Sequence, residues 1–338
     1  MKEITLVLFT LIFSLSLFSQ NCVTDIKGDD YGLQDVNGEI IFLEVDQNNN
    51  KWFGAKNYYG GGYGIGKFDG ITWTEFTALG GSDLPDDRVY DIAFDTSGNV
   101  WVATHAGLAK FDGEATNGWE IFDNTDFGST GNEVTAIAID SGYVKWIGLS
   151  TGEVIRYNDT TFTKFTNLNG KQINTIGIDS THNIWFGMEA TLGLSRYNHD
   201  EFTSFSQYQF IRSIQTTKNF VYASDFNGLH IFNGSEWTDI AAPGYSLYHV
   251  TLNSSNDVWL SSSIGLVEFR DSIFIPYTPM NSGIPDFLTF TRPCNFDKDD
   301  KLWFSYQYKA TFTTCATGFL TENAGLGLEI LSDKNFTF

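Results

Sequence analysis

Basic residues are scarce in this chain: 20 Lys and Arg stand against 41 Asp and Glu, for a formal net charge of −21. A surface so acidic repels phosphate backbones and anionic lipid, which argues against nucleic acid as a partner. Cysteine is rarer still. Only Cys22, Cys294 and Cys315 occur, too few for a disulfide framework and without the CxxC or His-flanked spacing of a zinc site. Cys294 and Cys315 can pair in an oxidising compartment, which would leave Cys22 over. Also missing are a G-x-S-x-G elbow, a P-loop, an H-E-x-x-H pair and a dinucleotide fingerprint; the glycines at 60–62 do not lead from a strand into a helix. No segment sustains a helical period.

Long apolar runs are absent too, with one exception. Residues 4–18, ITLVLFTLIFSLSLF, follow a short charged start and precede Ser19-Gln20. This reads as a secretory signal peptide over residues 1–20, because the run is shorter than the roughly 20 residues of a membrane span. The expectation is a mature chain, residues 21–338, that forms one domain outside the cytoplasm, secreted or periplasmic and monomeric, with no membrane span.

What the chain has in quantity is aromatic surface, 16% of all residues and 30 of them Phe, enough to build a core rather than a disordered polymer. It recurs with a period. DTSGNVWVAT (95–104), IDSTHNIWFG (178–187), VDQNNNKWFG (45–54) and FDKDDKLWFS (296–305) each place tryptophan six residues after an aspartate. Aligned on that position, the anchors are Trp52, Trp101, Trp146, Trp185, Tyr222, Trp259 and Trp303, at intervals of 37 to 49 residues. Such intervals match one propeller blade per repeat. The residue six before the anchor is Asp46, Asp95, Asp140, Asp179, Asn253 or Asp297; the fifth unit, with Tyr222, carries TTKNF instead.

Each unit reads as four short strands. The first alternates apolar residues, as at Tyr90, Ile92 and Phe94, with small residues such as Ala93 and Gly177 on the other face. A D-x-x-G/N-N turn follows, in which Asp accepts backbone hydrogen bonds and Gly or Asn supplies positive φ. The second strand carries the anchor, which buries against neighbouring blades. The third opens on Gly (GLAKFD from 107, GEVIRYN from 152, GLSRYN from 193), and the fourth bears an aromatic pair such as Trp73/Phe76 or Phe162/Phe165. The fold expected is an all-β, seven-bladed β-propeller of four-stranded antiparallel blades. Its last unit ends on NFTF (335–338), short of a full outer strand, while VTDI (23–26) resembles the outer strand WTDI (237–240). The N-terminal segment is therefore expected to supply or replace an outer strand of the last blade, the alternative being a ring closed by side-chain packing alone.

The unit I-x-x-D-x-x-G-N-x-W-x-G-T followed by G-L-x-x-[FY]-[ND], carried best by VYDIAFDTSGNVWVATHAGLAKFD (89–112) and INTIGIDSTHNIWFG (173–187), resembles the two-component regulator propeller repeat. The resemblance spans about residues 40–338. It implies a propeller of the sensor kind outside the cytoplasm and implies no kinase activity. The repeats are also similar to those of streptogramin lyases, which use histidines, a glutamate and a metal. Their catalytic motifs find no position-by-position match here, and a shared fold does not establish a reaction.

The connections between strands two and three and between blades share one face, and there the sequence is rich in rings. KNYYGGGY (56–63) and the insertion after the last anchor nominate Tyr58, Tyr59, Tyr63 and Tyr308 as ligand-binding residues, with His105 beside them. Flat tyrosine rings on glycine-rich loops suit a carbohydrate, a peptide or a protein ligand. Phe127, Tyr208, Phe210 and Tyr245 fall in connections on the same face. The leading expectation is thus a ligand- or protein-binding module without catalysis. The alternative is a propeller lyase or hydrolase acting on a polysaccharide or cyclic ester, with His105, Glu189 and Asp225 as acid, base or metal groups. No metal ligands and no cofactor are assigned; a divalent ion such as calcium in a central channel would leave no trace in the sequence.

Overall fold

A computed structural model of the chain describes residues 26–27, 38–57, 60–78, 80–114, 118–166, 168, 171–189, 193–198, 200–278, 291–306, 312–313, 320–321 and 327–331. Six blades are runs of four consecutive strands paired in the order one to four, beginning with Gly38–Val45, Val89–Phe94, Val134–Ile139, Ile173–Ile178, Ser213–Thr216 and Leu247–Leu252. The first strand of each sheet packs against the first strand of the next, all the way round, so these inner strands form the wall of the central axis.

The expectation of a seven-bladed propeller is corrected by this topology: six blades of four consecutive strands, not seven, are present. The remaining four-stranded sheet is composite: Thr291–Phe296, Leu302–Tyr306 and Gly327–Leu331 come from the end of the chain, and Ile26–Lys27 comes from the beginning. Ile26 pairs with Leu328 and Lys27 with Gly327, antiparallel. The physical reason lies in the chain between Tyr306 and Gly327. There the hairpin connection is replaced by an insertion that holds a small ladder of its own, Phe312–Thr313 with Leu320–Thr321. The outer position of that sheet is then filled from the other terminus, as the likeness of 23–26 to 237–240 suggested. NFTF, the signal-peptide segment, Cys22 and Cys315 lie outside the described residues. Cys294 is a free, fully buried thiol.

The anchors do what their spacing implies. Trp52, Trp101, Trp185 and Trp303 are each 2% exposed or less. In five blades the tryptophan stacks on the second aromatic of its own outer strand: Trp52 on Phe76, Trp101 on Phe122, Trp146 on Phe165, Trp185 on Phe205 and Trp259 on Tyr277. The other contact of the first four is the third-strand aromatic of the next blade: Phe111, Tyr157, Tyr197 and Phe232, in that order. Trp303 meets Phe68 in the same way and packs into the cluster of Ile40, Leu43 and Phe53, which joins the composite sheet to blade one. Blades thus adhere through a ring of interdigitated aromatic surface.

Every aspartate six residues before a tryptophan also has a partner that the sequence reading did not foresee. Its Oδ2 accepts from the indole Nε1 at 2.9 Å for Asp46–Trp52, Asp179–Trp185 and Asp297–Trp303, 3.1 Å for Asp95–Trp101 and 3.4 Å for Asp140–Trp146. Oδ1 accepts backbone N–H groups of the turn, as from Ser97 and Asn99 to Asp95. The third residue after the aspartate is left-handed in each such turn: Asn49, Gly98, Tyr143, His182 and Asp300, and Asn256 in the Asn253 turn.

Candidate functional site

The inner strands carry a girdle of polar side chains that bond across blade seams, mostly to backbone groups of the neighbouring inner strand. Asp91 accepts from the Ile137 amide at 2.9 Å, Thr135 donates to the Ile173 carbonyl at 2.6 Å, and Asn174 donates to the Ile211 carbonyl at 3.2 Å. Ser213 accepts from the Val250 amide at 3.2 Å, and Thr251 donates to Asn295 Oδ1 at 3.1 Å. Asn295 closes the ring by donating to the Leu43 carbonyl and to Glu44 Oε2, at 3.2 and 3.1 Å. Two carboxyls meet near the seam of blades one and two. Burial, reinforced by the charge of Asp91 and opposed by the Asn295 bond, pushes Glu44 up to about 8. Burial likewise raises Asp91 to about 7, against hydrogen bonds from Ile137 and Ile92. His249, on the inner strand of blade six, is pushed down to about 4 by burial. Among the described residues no group of three or more His, Cys, Asp or Glu side chains comes together in a way that could hold a metal ion.

The face formed by connections two-to-three and blade-to-blade is where side chains remain available. At the seam of blades two and three, His105 follows the anchor strand Val100–Thr104, and its amide donates to the Arg88 carbonyl at 3.0 Å. Its ring Nδ1 lies 3.4 Å from the Tyr90 hydroxyl and 3.3 Å from Glu133 Oε1. The His105 side chain is 39% exposed and that of Glu133 is 29% exposed. Burial pushes the Glu133 carboxyl up, but hydrogen bonds from Tyr90, Ser150 and His105 together hold it below its ordinary value. Tyr90 is raised by burial and by its bond to Glu133. Arg88 grips Asp86 through two bonds, 2.9 and 2.6 Å. Tyr90 takes its outward aim from the inner-strand bulge between Val89 and Asp91, which re-aims one residue toward the rim.

Further round the face, blade five contributes the Asp225–Gly228 connection. Phe226 at its tip is 36% exposed and lies under the Arg212 guanidinium, 4.0 Å from ring centroid to Cζ, with the Tyr248 ring edge-on at 6.1 Å. Phe210, in the connection into blade five, is 42% exposed.

Of the nominated residues, Tyr63 packs half-buried against the cluster of Ile40, Leu43, Phe53 and Trp303 and lines a shallow cavity with Trp73 and Glu75. Tyr58, Tyr59 and Tyr308 lie outside the described residues. Phe127 and Tyr208 are buried at 3% each and Tyr245 packs into the blade-six cluster, so among those connection aromatics Phe210 is the exposed one. Glu189 and Asp225 are not brought to His105. Glu189 is exposed, with its amide bonded to the Gln172 carbonyl. Asp225 is buried and engaged with His230 and its own loop. The partners of His105 that sequence reasoning missed are Tyr90 and Glu133. In the sequence Tyr90 belongs to the inner-strand alternation, and only the bulge turns it outward. The carboxylate turns are on the opposite face, and their oxygens bind indoles and backbone amides rather than pointing to solvent.

With this geometry in place, the comparisons with known proteins fit the fold. A family model described as two component regulator propeller matches residues 83–106, within the repeat that carries Trp101 and His105. The extracellular domain of a putative hybrid two-component system from B. thetaiotaomicron is similar, at a TM-score of 0.68 and 16% identity, over 91% of this chain and 41% of that one. That of a putative one-component system from the same organism aligns at a TM-score of 0.66 and 16% identity, covering 91% and 40%. A catalytically inactive histidine-to-alanine variant of virginiamycin B lyase from Staphylococcus aureus, with quinupristin, aligns at a TM-score of 0.68 and 13% identity, covering 92% and 99%. The chain thus spans about two fifths of the first two structures and nearly all of the third. Among curated proteins none matches. At these identities the likeness is one of fold, and both resemblances read from the repeats are met.

Proposed function

We propose that this chain is a sensor-like propeller acting outside the cytoplasm, which recognises a ligand on its connection face and does no chemistry of its own. One observation carries the reading. The half-exposed Tyr90–His105–Glu133 network and the exposed Phe226 and Phe210 sit on one face, whereas the other face's turn carboxylates are committed to holding the fold. Loops on a rigid ring are where binding residues collect. The strands Lys51–Asn57 and Leu302–Tyr306 end on this same face, as Val100–Thr104 does before His105, and on that ground Tyr58, Tyr59 and Tyr308 are included in the proposed surface. Similarity to extracellular domains of two-component and one-component systems supports the location and the sensing role. No helix of the described residues is long and apolar enough to cross a membrane.

The ligand class proposed is a carbohydrate, a peptide or a protein segment that lays a flat or apolar face on the rings and hydrogen-bonds to His105 and Glu133. The test is thermal unfolding against oligosaccharides, peptides and divalent ions, with and without chelator. A ligand at a hundred times its Kd adds about 2.7 kcal/mol of stability, a visible shift. The same ligand should lose at least about tenfold in affinity with His105→Ala or Tyr58→Ala/Tyr59→Ala. Full affinity in both variants would move the site elsewhere. Turnover of a cyclic ester or polysaccharide that His105→Ala abolishes would overturn the non-catalytic reading.

A further inference from the structure

His230 stands on the third strand of blade five, Gly228–Phe232, and is 8% exposed. Its Nδ1 lies 2.8 Å from Asp239 Oδ1 on the outer strand, and its Nε2 lies 3.3 Å from Asp225 Oδ2 in the connection before it. From the blade-four side the Tyr208 ring covers it at 4.4 Å, with the Tyr208 hydroxyl bonded to Asp239. On the inner side its cross-strand neighbour is the uncharged Ala223. Two carboxylates therefore face the two ring nitrogens of one enclosed imidazole. Only the imidazolium can donate to both, since a neutral ring has one N–H.

Asp225 is at the same time the organiser of the loop that carries Phe226. Its Oδ1 accepts from the Asn227 and Gly228 amides at 2.7 and 2.9 Å, and its own amide donates to the Gly228 carbonyl at 3.1 Å. The Asn227 carbonyl in turn accepts from the Ala242 amide at 2.8 Å. The carboxylate that faces His230 through one oxygen shapes the Phe226 connection through the other.

We infer that protonated His230, clamped between Asp225 and Asp239, is a pH-sensitive latch that fixes the Phe226 connection in the shape seen here. Deprotonation leaves one of the two aspartates facing a ring nitrogen that no longer donates. That aspartate is Asp225: the neutral ring keeps its proton on Nδ1, whose 2.8 Å contact with Asp239 is the shorter hydrogen bond, and Nε2, 3.3 Å from Asp225 Oδ2 and outside hydrogen-bond geometry, then turns a lone pair to the enclosed carboxylate. The loop then loosens, and with it the stack of Phe226 on Arg212. Burial disfavours the imidazolium, yet the two aspartates together raise His230 above its ordinary value of 6.5. The latch is therefore closed below that value and opens as pH rises through the raised one. Only the consequence for recognition rests on the proposed function; the response of the loop needs no ligand.

The experiment is hydrogen exchange of the Asn227 and Gly228 amides in the full chain between about pH 6 and pH 9, corrected for intrinsic exchange, alongside NMR titration of the His230 ring. Protection should fall about tenfold or more across the range, with the midpoint at the His230 titration, since one pKa unit corresponds to a tenfold change in an equilibrium. Asp239→Asn, a change at a half-exposed side chain, should shift both midpoints together to lower pH. His230→Gln should exchange faster at low pH and lose the pH dependence. Protection that is flat with pH, or that changes with a midpoint Asp239→Asn leaves in place, would overturn the latch.

Discussion

Asp179 accepts the Trp185 indole N–H at 2.9 Å through Oδ2, while Oδ1 accepts the Thr181 and Asn183 amides at 2.9 and 3.0 Å. One carboxylate thus satisfies the turn and the buried anchor together, which is why the two residues keep a spacing of six. Burial raises this carboxyl, but the bonds from Trp185, Asn183 and Thr181 outweigh it and hold the group below its ordinary value of 3.8. Asp179→Ala strands an enclosed indole N–H and two amides, and should destabilise by about 3 kcal/mol. Urea unfolding checks this. Because the folded value is depressed, the contribution of Asp179 is present above pH 3.8 and is lost as pH falls through the folded value.

A buried ion pair also crosses the seam that closes the ring. Lys51 Nζ of blade one lies 3.1 Å from Asp297 Oδ2 of the composite sheet and 4.8 Å above the Trp303 ring, with both charged side chains 6% exposed or less. Lys51→Met leaves Asp297 its turn and indole bonds but removes the cation. A loss of about 3 kcal/mol is expected, with limited proteolysis attacking the composite sheet first. Equal protease resistance of wild type and variant would show that aromatic packing alone closes the ring.

Glu44 and Asp91 set an alkaline limit. Their folded values, about 8 and about 7, lie above the ordinary 4.5 and 3.8. A raised carboxyl stabilises fully below its ordinary value, and that contribution disappears as pH rises through the folded one. The melting temperature should therefore decline from mildly acid pH toward pH 8. Glu44→Gln should flatten the decline, and an unchanged slope would remove Glu44 from the account.

Tyr143 occupies the left-handed turn position at φ 65° with its ring 53% exposed. A side chain there carries a backbone cost of roughly 1–2 kcal/mol, partly offset by glycine's entropy in the unfolded chain. Tyr143→Gly should stabilise by about 0.5 kcal/mol, measurable by chemical denaturation.

Tyr63 and His105 separate folding from recognition. Tyr63→Ala removes packing against the cluster that holds Ile40 and Phe53 and should cost about 2 kcal/mol of stability. His105→Ala, at a 39% exposed side chain, should change stability by less than about 0.5 kcal/mol while weakening any ligand of this face. Calorimetry of the two variants distinguishes the roles.

Much of this architecture was legible because the repeat writes the same local physics into the chain again and again. The fifth unit is instructive. Its anchor is Tyr222, which has no indole N–H to satisfy, and its turn has no aspartate; Thr217 accepts from Phe220 instead, at 3.0 Å. The two departures are one departure. The assembly of the last sheet was legible only from the likeness of 23–26 to the outer strand 237–240, and not from the spacing of the anchors. Pairing Ile26 with Leu328 joins the two ends of the chain, and periodicity carries no information on partners so far apart.

The candidate site was legible only as a face. His105 was read from its place after an anchor strand, but Tyr90 and Glu133 reach it from an inner-strand bulge and from the neighbouring blade, and side-chain direction there depends on ladder irregularity. Tyr63, after a glycine run that reads as a binding loop, packs half-buried because the cluster around Phe53 offers it apolar surface.

The sequence by itself determined the strand period, the anchors, the acidic turns and the face on which connections gather, since each follows from contacts within one repeat. Tertiary structure alone decided which blade each aromatic covers, the pairing of Ile26 with Leu328, and that His230 lies between two aspartates. Those relations join groups brought together only when the ring packs, and burial then sets the strength of every charge among them.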